Sequence, residues 1–282
     1  MPRRTDGLKI RHRSRKNAAR GVEPTRLLFH PVIHPGEGAT AFLFRVARRN
    51  GTTLSKLQQL GIAFDPAVFE VALSWDRICP SPEAQQYVER LTGLMESAPR
   101  AWATTSPRCC SQCLREQQYW SAEWELRQYL ACTKHKCWLV DRCGVCNERI
   151  SWNRAALHRC DCGAGFVDAA TTPAPSEFVE LSAMVGSKLR TQFPEAAPFA
   201  ALSLNATNEM VTRFMRKHTS ARLDYPMSIR LLDDMQTAIP ALELAASVFA
   251  AWPSGYMAYL RSMHQENGEA AASILATFGG IY

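Results

Sequence analysis

Nine of the chain's ten cysteines fall between Cys109 and Cys162, in the run RCCSQC…CTKHKC…CGVC…CDCG, and this crowding constrains the fold more than any other feature. Thiols this dense must be tied as disulfides, used in chemistry or bound to metal. Their spacing separates into two ligand sets. The first is Cys110-x2-Cys113, eighteen residues, then Cys132-x2-His135; the second is Cys143-x2-Cys146, thirteen residues, then Cys160-x-Cys162. A C-x2-C knuckle lets two thiolates converge on one tetrahedral ion about 2.3 Å away while backbone N–H groups face the sulfurs. Gly144 and Gly163 stand where such knuckles turn tightly. Each set offers four donors and no open position, so the expectation is two structural zinc ions.

The other uses of cysteine fit less well. No apolar stretch follows the charged N-terminal residues, as a secretory signal requires. The expected compartment is therefore the reducing cytoplasm, where structural disulfides are rare. A redox C-x-x-C wants a βαβ setting that the pattern lacks. A zinc deaminase needs H-x-E ahead of P-C-x-x-C; here His264-Gln265-Glu266 follows every cysteine, and no C-x-x-C follows a proline. The four-cysteine set suits an iron–sulfur cluster, but the histidine of the other set argues for zinc in both. A zinc hydrolase or nuclease needs an open coordination position, so no catalytic residues are expected and the chain reads as a non-enzyme. Cys79, Cys109 and Cys137 are left over. They read as buried free thiols, with Cys109 able to replace Cys110 and Cys137 able to compete with His135.

Around this block the chain reads as mainly α. With 282 residues, 46% of them hydrophobic, it can bury a substantial core in about two domains, and no apolar run is long enough to span a membrane. Four spans are expected: a basic flexible arm at 1–30, an N-terminal helix-turn-helix-like helical domain at 31–105, a tandem zinc-finger module at 106–170, and a C-terminal helical bundle at 171–282. Residues 1–26 carry nine basic side chains, among them Arg11, Arg13, Arg15 and Lys16, against Asp6 and Glu23, which accounts for the entire net charge of +7. Such an arm either contacts nucleic-acid phosphates or merely solubilises the chain. Four-residue spacing of Phe42, Leu43, Val46 and Ala47 predicts a helix over 37–49; Asn50-Gly51 breaks it, and Thr53 can cap a short second helix. That pair is a helix-turn-helix candidate or an ordinary helical hairpin, with Arg48 and Arg49 either facing nucleic acid or complementing the helix C-terminus. Ser81-Pro82 opens a further helix to about Met95. Residues 96–107 and 171–177 read as linkers. Between the first two cysteine pairs, Tyr119, Ala122, Leu126 and Leu130 fit one helical face beside Trp120 and Trp124, a small core or, alternatively, a base-stacking platform. Beyond the cysteines, Phe178/Leu181/Val185/Leu189, Met210/Val211/Phe214/Met215, Leu242/Ala245/Val248/Phe249/Trp252 and Tyr256/Tyr259/Leu260/Met263 mark four amphipathic stripes.

Cys110, Cys113, Leu114, Glu116, Tyr119, Trp124, Cys132, His135, Leu139, Cys143 and Cys146 together resemble the signature of the TniQ family, which includes TnsD. That pattern is C-P-x-C-L-x-E, an aromatic segment, C-x-x-H, an apolar residue, C-x-x-C-G and a final cysteine pair. The upstream GEGATAFLFRVARRNG and the downstream AASVFAAWPSGYMAYL are also similar to family segments, so the resemblance spans roughly 31–265. Ser111 replaces the family's proline, Asn147 a frequent glycine, Gly38 a serine, and the last pair is C-x-C. The resemblance implies a bacterial transposition target-selection adaptor that recognises target DNA, directly or through a CRISPR RNA-guided effector complex. It would recruit the transposon AAA+ ATPase (TnsC-like) and thereby the transposase, as a monomer or a homodimer. The alternative is a stand-alone zinc-dependent DNA-binding transcription regulator.

Overall fold

The computed structural model describes residues 27–59, 78–79, 81–103, 106–190, 199–218 and 231–266. The described chain is mainly helical. Helix α1 spans Ala39–Arg49, α2 Leu54–Gln59, α3 Pro82–Ser97, α4 Ser111–Glu116, α5 Ser176–Ser187, α6 Leu204–His218, α7 Met235–Ala250 and α8 Ser254–Glu266. A two-stranded antiparallel hairpin, β1 (Ala131–Cys132) and β2 (Cys137–Trp138), pairs Ala131 with Trp138 and Cys132 with Cys137. Among the described residues no helix is long and apolar enough to cross a membrane.

Local chemistry sets the helix ends. Ser81 accepts the Ala84 N–H at 3.1 Å, with Pro82 in the first turn of α3, a favoured starting arrangement. Asn50 closes α1, and Thr53 accepts the Lys56 N–H at 3.2 Å, so α1, turn and α2 follow one another as the periodicity predicts. The N-terminus of α1 is capped differently. Gly38 has no side chain to offer, and the carboxylate of Glu125, far along the chain, accepts from the Ala41 N–H at 3.2 Å and the Thr40 hydroxyl at 3.1 Å. A Cβ at Gly38 would overlap that carboxylate. Burial, opposed by these backbone and hydroxyl donors, pushes Glu125 up to about 7.

Two sequence expectations are corrected. The segment between Cys113 and Cys132 is not a helix: its only regular part is a 3-10 turn, Ala122–Glu125. Its backbone bonds instead to distant chain, with Gly38 N–H donating to Trp120 O, Ala122 N–H to Gly36 O, and Arg127 N–H to Ala101 O, at 2.8, 2.8 and 2.7 Å. Trp120, Trp124, Leu126, Tyr129 and Leu130 are all buried, so the segment is enclosed on every side rather than amphipathic. Its aromatics are core, not an open stacking platform. The second correction concerns the two expected linkers. Ala98, Ala101, Trp102 and Ala103 are buried, and Trp102 bridges to Leu126. Residues 172–174 run alongside β2, where Trp138 N–H donates to Thr172 O and Ala174 N–H to Lys136 O, both at 3.0 Å.

The four C-terminal stripes pack as expected where they are described: Phe178, Leu181, Val185, Met210, Val211, Phe214, Leu242, Ala245, Val248 and Phe249 are buried. Met263 lies outside the residues whose side chains are described. Buried side chains form one cluster running through α1, α3, the cysteine segment and α5–α8. Two buried arginines tie its parts without a carboxylate in direct contact. Arg108 donates to the Leu232 carbonyl at 2.7 Å and the Arg127 carbonyl at 3.3 Å. Arg154 stands over the rings of Phe44, Trp120, Trp152 and Phe166, 4.6–5.4 Å from their centroids, and donates to the carbonyls of Ser151, Ala156 and Leu157.

Candidate metal centres

The hairpin and α4 build the first centre. Cys110 is the N-cap of α4, Cys113 lies in its first turn, and β1 and the hairpin turn carry Cys132 and His135. One donor atom from each residue lies within 4.8 Å of every other. Cys113 and Cys132 sulfurs are 3.6 Å apart, and His135 Nδ1 is 3.2–3.6 Å from the three sulfurs. Two thiolates on one tetrahedral ion at 2.3 Å stand about 3.8 Å apart. The knuckle N–H groups face the sulfurs: Cys113 N–H donates to Cys110 Sγ at 3.5 Å, and His135 N–H to Cys132 Sγ at 3.4 Å. Hydrogen bonds from the Cys113 and Cys132 side chains hold Cys110 far below the usual thiol range, while the same sharing pushes Cys113 up.

The second centre gathers Cys143, Cys146, Cys160 and Cys162, again with all sulfurs within 4.8 Å. Cys143 pairs with Cys162 and Cys146 with Cys160, each at 3.6 Å. Backbone N–H groups of Cys146 and Val145 hold the Cys143 thiol down to about 7 against the opposing effect of burial. The two sets differ in exposure. The first has three buried cysteines and a half-buried histidine; in the second, Cys146 and Cys162 are exposed. Both sets could hold a metal ion, with soft sulfur-rich donors and four groups converging on one point.

Knuckle turns explain the residues beside the ligands. Lys136, Asn147 and Gly163 each follow the last ligand of a knuckle, and each has a positive φ: 54°, 58° and 91°. Their N–H groups return to Cys132 O, Cys143 O and Cys160 O at 2.8, 3.0 and 2.9 Å. Asn147 therefore does what a glycine would do there, since asparagine tolerates the left-handed region better than most residues. Gly144 has an ordinary φ, so only Gly163 of the two predicted glycines serves this purpose. Ser111, at the first position of α4, spends its hydroxyl on the Ala169 carbonyl at 2.9 Å, tying the first centre to the chain that leaves the second.

Sequence reasoning assigned no role to Glu116 and left Cys137 ambiguous. With His135 Nδ1 toward the sulfurs, Nε2 faces Glu116 Oε1 at 2.9 Å, the carboxylate–imidazole arrangement that orients a metal-binding histidine. Lys134, and then His135, hold the Glu116 carboxyl below its usual range. The i+3 step from Cys113 to Glu116 along α4 was the available signal. Cys137 lies 3.7 Å from Cys110 Sγ but outside the four-donor cluster, whereas Cys109 is fully buried and its backbone pairs with Val140.

The predicted nucleic-acid residues divide. Arg11, Arg13, Arg15 and Lys16 lie outside the described residues. Arg48 and Arg49 occupy the exposed last turn of α1. The Arg48 guanidinium lies over the Phe44 ring, 5.3 Å from its centroid, and donates to the Arg154 carbonyl, so its head is occupied within the chain. Arg45 is turned inward, paired with buried Glu37 at 2.6 Å.

Residues 28–139 match the TniQ family model, a span that runs from the segment before α1 through the first centre to β2. This span is a TniQ domain. TniQ proteins are non-catalytic and transposition-associated, in keeping with two closed donor sets. The second centre and the C-terminal helices lie beyond the matched residues. No curated protein matches the chain.

Proposed function

We propose that this protein is a transposition target-selection adaptor: it recognises target DNA, directly or through a CRISPR RNA-guided complex, and recruits a transposon AAA+ ATPase and with it the transposase. The observation that carries this reading is the TniQ match over 28–139, with a complete four-donor set inside it. Zinc fits both sets, bound by Cys110, Cys113, Cys132 and His135 in one and by Cys143, Cys146, Cys160 and Cys162 in the other. The ions would shape the adaptor and take no part in bond chemistry. The N-terminal helical part, the zinc module and the C-terminal helices would each present a surface to a partner.

Charge bears on how the target is met. The arm at 1–26 holds the whole net charge and the remaining residues sum to zero, which suits recruitment through protein contacts with a secondary grip on DNA. The test is reconstitution with the AAA+ ATPase encoded beside this chain. ATP-dependent loading of that ATPase onto DNA should require this protein; equal loading without it overturns the adaptor reading. Footprinting separates the alternatives. Sequence-specific protection by this protein alone at physiological salt would replace the tethered mode by direct site recognition, and protection of a palindrome independent of any ATPase would favour the regulator.

A further inference from the structure

Three of the five most exposed large hydrophobic side chains among the described residues lie within five positions, immediately after the basic arm: Leu28 is 84% exposed, Phe29 57% and Val32 72%. Their backbone is held in place. Asn50 Oδ1 accepts from the N–H groups of Leu28 and Phe29 at 2.9 and 3.0 Å, while Asn50 Nδ2 donates to the carbonyls of Phe29 and Val46, both at 2.8 Å. Further along, the Arg45 guanidinium donates to the Val32 carbonyl at 2.7 Å. Two side chains from the C-terminal half of α1 and its cap thus clamp an extended segment whose apolar groups gain nothing from burial. Exposing two large apolar side chains on a clamped backbone is costly in water and marks a contact surface.

Its surroundings identify what it contacts. Arg49 is exposed on the adjoining turn of α1, with no carboxylate within ion-pair distance among the described residues, and Arg26 closes a stretch with nine basic and two acidic side chains. Apolar residues flanked by cations complement a polyanion with stacked apolar faces. We infer that Leu28 and Phe29, clamped by Asn50 and flanked by Arg49 and the basic arm, form an apolar wedge that packs against a base step of duplex DNA. Phosphate contacts by the cations would hold the duplex, and the wedge would unstack a step, as apolar side chains beside basic arms do in minor grooves. This rests on the DNA-contacting limb of the proposed function and adds the residues and the mode.

The experiment is anisotropy titration of a short mixed-sequence duplex with the full chain across a salt series, in wild type, the double variant Leu28→Ser/Phe29→Ser, and Arg49→Ala. A duplex carrying 2-aminopurine reports unstacking. The double variant should bind about 5- to 100-fold more weakly with an unchanged salt slope, because it removes no charge, and should abolish the 2-aminopurine signal. Arg49→Ala should lower the slope by about 0.9 while keeping that signal. Both sites are exposed, and retained metal content and circular dichroism will establish that each variant is folded. Wild-type affinity and signal in the double variant would overturn the wedge while leaving the DNA grip intact. Failure of wild type to bind would overturn both and leave ATPase recruitment standing. Loss of ATPase binding with unchanged DNA binding would assign the patch to a protein and overturn the inference.

Discussion

Gly38 and Glu125 are a matched pair. Gly38 has the extended φ and ψ of an N-cap, −69° and 145°, yet it cannot cap, and the space its side chain would fill belongs to the Glu125 carboxylate. The TniQ pattern places serine at this position, so the chain has moved the capping oxygen from a local residue to a distant one. Gly38→Ser alone should therefore destabilise the protein by about 1–3 kcal/mol through overpacking. In the background of Glu125→Ala the same substitution should become stabilising, because serine then caps unhindered. A double-mutant cycle in urea measures the coupling, and additivity would refute the pairing. The pair also carries a pH dependence. A carboxyl raised to about 7 in the folded protein keeps a proton there that the unfolded chain releases, so stability falls as pH rises from the usual carboxylate range through about 7. Glu125→Gln should flatten that part of the profile, by about 3 kcal/mol between its ends, and unchanged pH dependence would remove Glu125 as its source.

At the scale of elements, the metal knuckles were legible and the segment between them was not, for one physical reason. A knuckle is set by ligands two residues apart, so spacing alone places it; the C-x-C variant needs only Gly163 to complete its shorter turn. The 117–130 segment takes its backbone partners from Gly36, Gly38 and Ala101, which no local periodicity encodes. The same holds for 98–103 and 172–174, whose alanines, prolines and threonines read as linker until their pairing partners are known. Within the first centre, Cys110→Ser should lose the ion and Cys109→Ser keep it, since only the Cys110 sulfur is among the converging donors. Metal analysis of the purified variants decides this, and the opposite result would shift the ligand register by one. Glu116→Gln should weaken retention of the first ion about 10- to 100-fold while leaving the second untouched, as chelator competition would report.

For the whole molecule, the helical class and the absence of a catalytic constellation were readable from the stripes and the closed donor sets. The unity of the core was not, because Arg108, Arg154 and Ser111 join segments far apart in the chain through single hydrogen bonds and ring contacts. The basic arm acts at this scale too. Removing residues 1–26 should reduce the magnitude of the log K against log salt slope for DNA by about 0.9 for each phosphate the arm engages, and an unaltered slope would assign the DNA grip to the body.

One small hydrogen-bonded junction connects the first metal centre to the far half of the chain. The Ser182 hydroxyl, buried on α5, accepts the N–H groups of Leu130 and Ala131 at 3.2 and 3.0 Å, where the chain enters the strand that carries Cys132. The C-terminal helices are therefore seated on a backbone whose course depends on a filled ligand shell. Stripping the first ion should loosen α5 and the helices packed on it, exposing that half to protease, whereas emptying the exposed second shell alone should leave it resistant. The cleavage map would thus act as a gauge of which ion is present, read many residues away from either one.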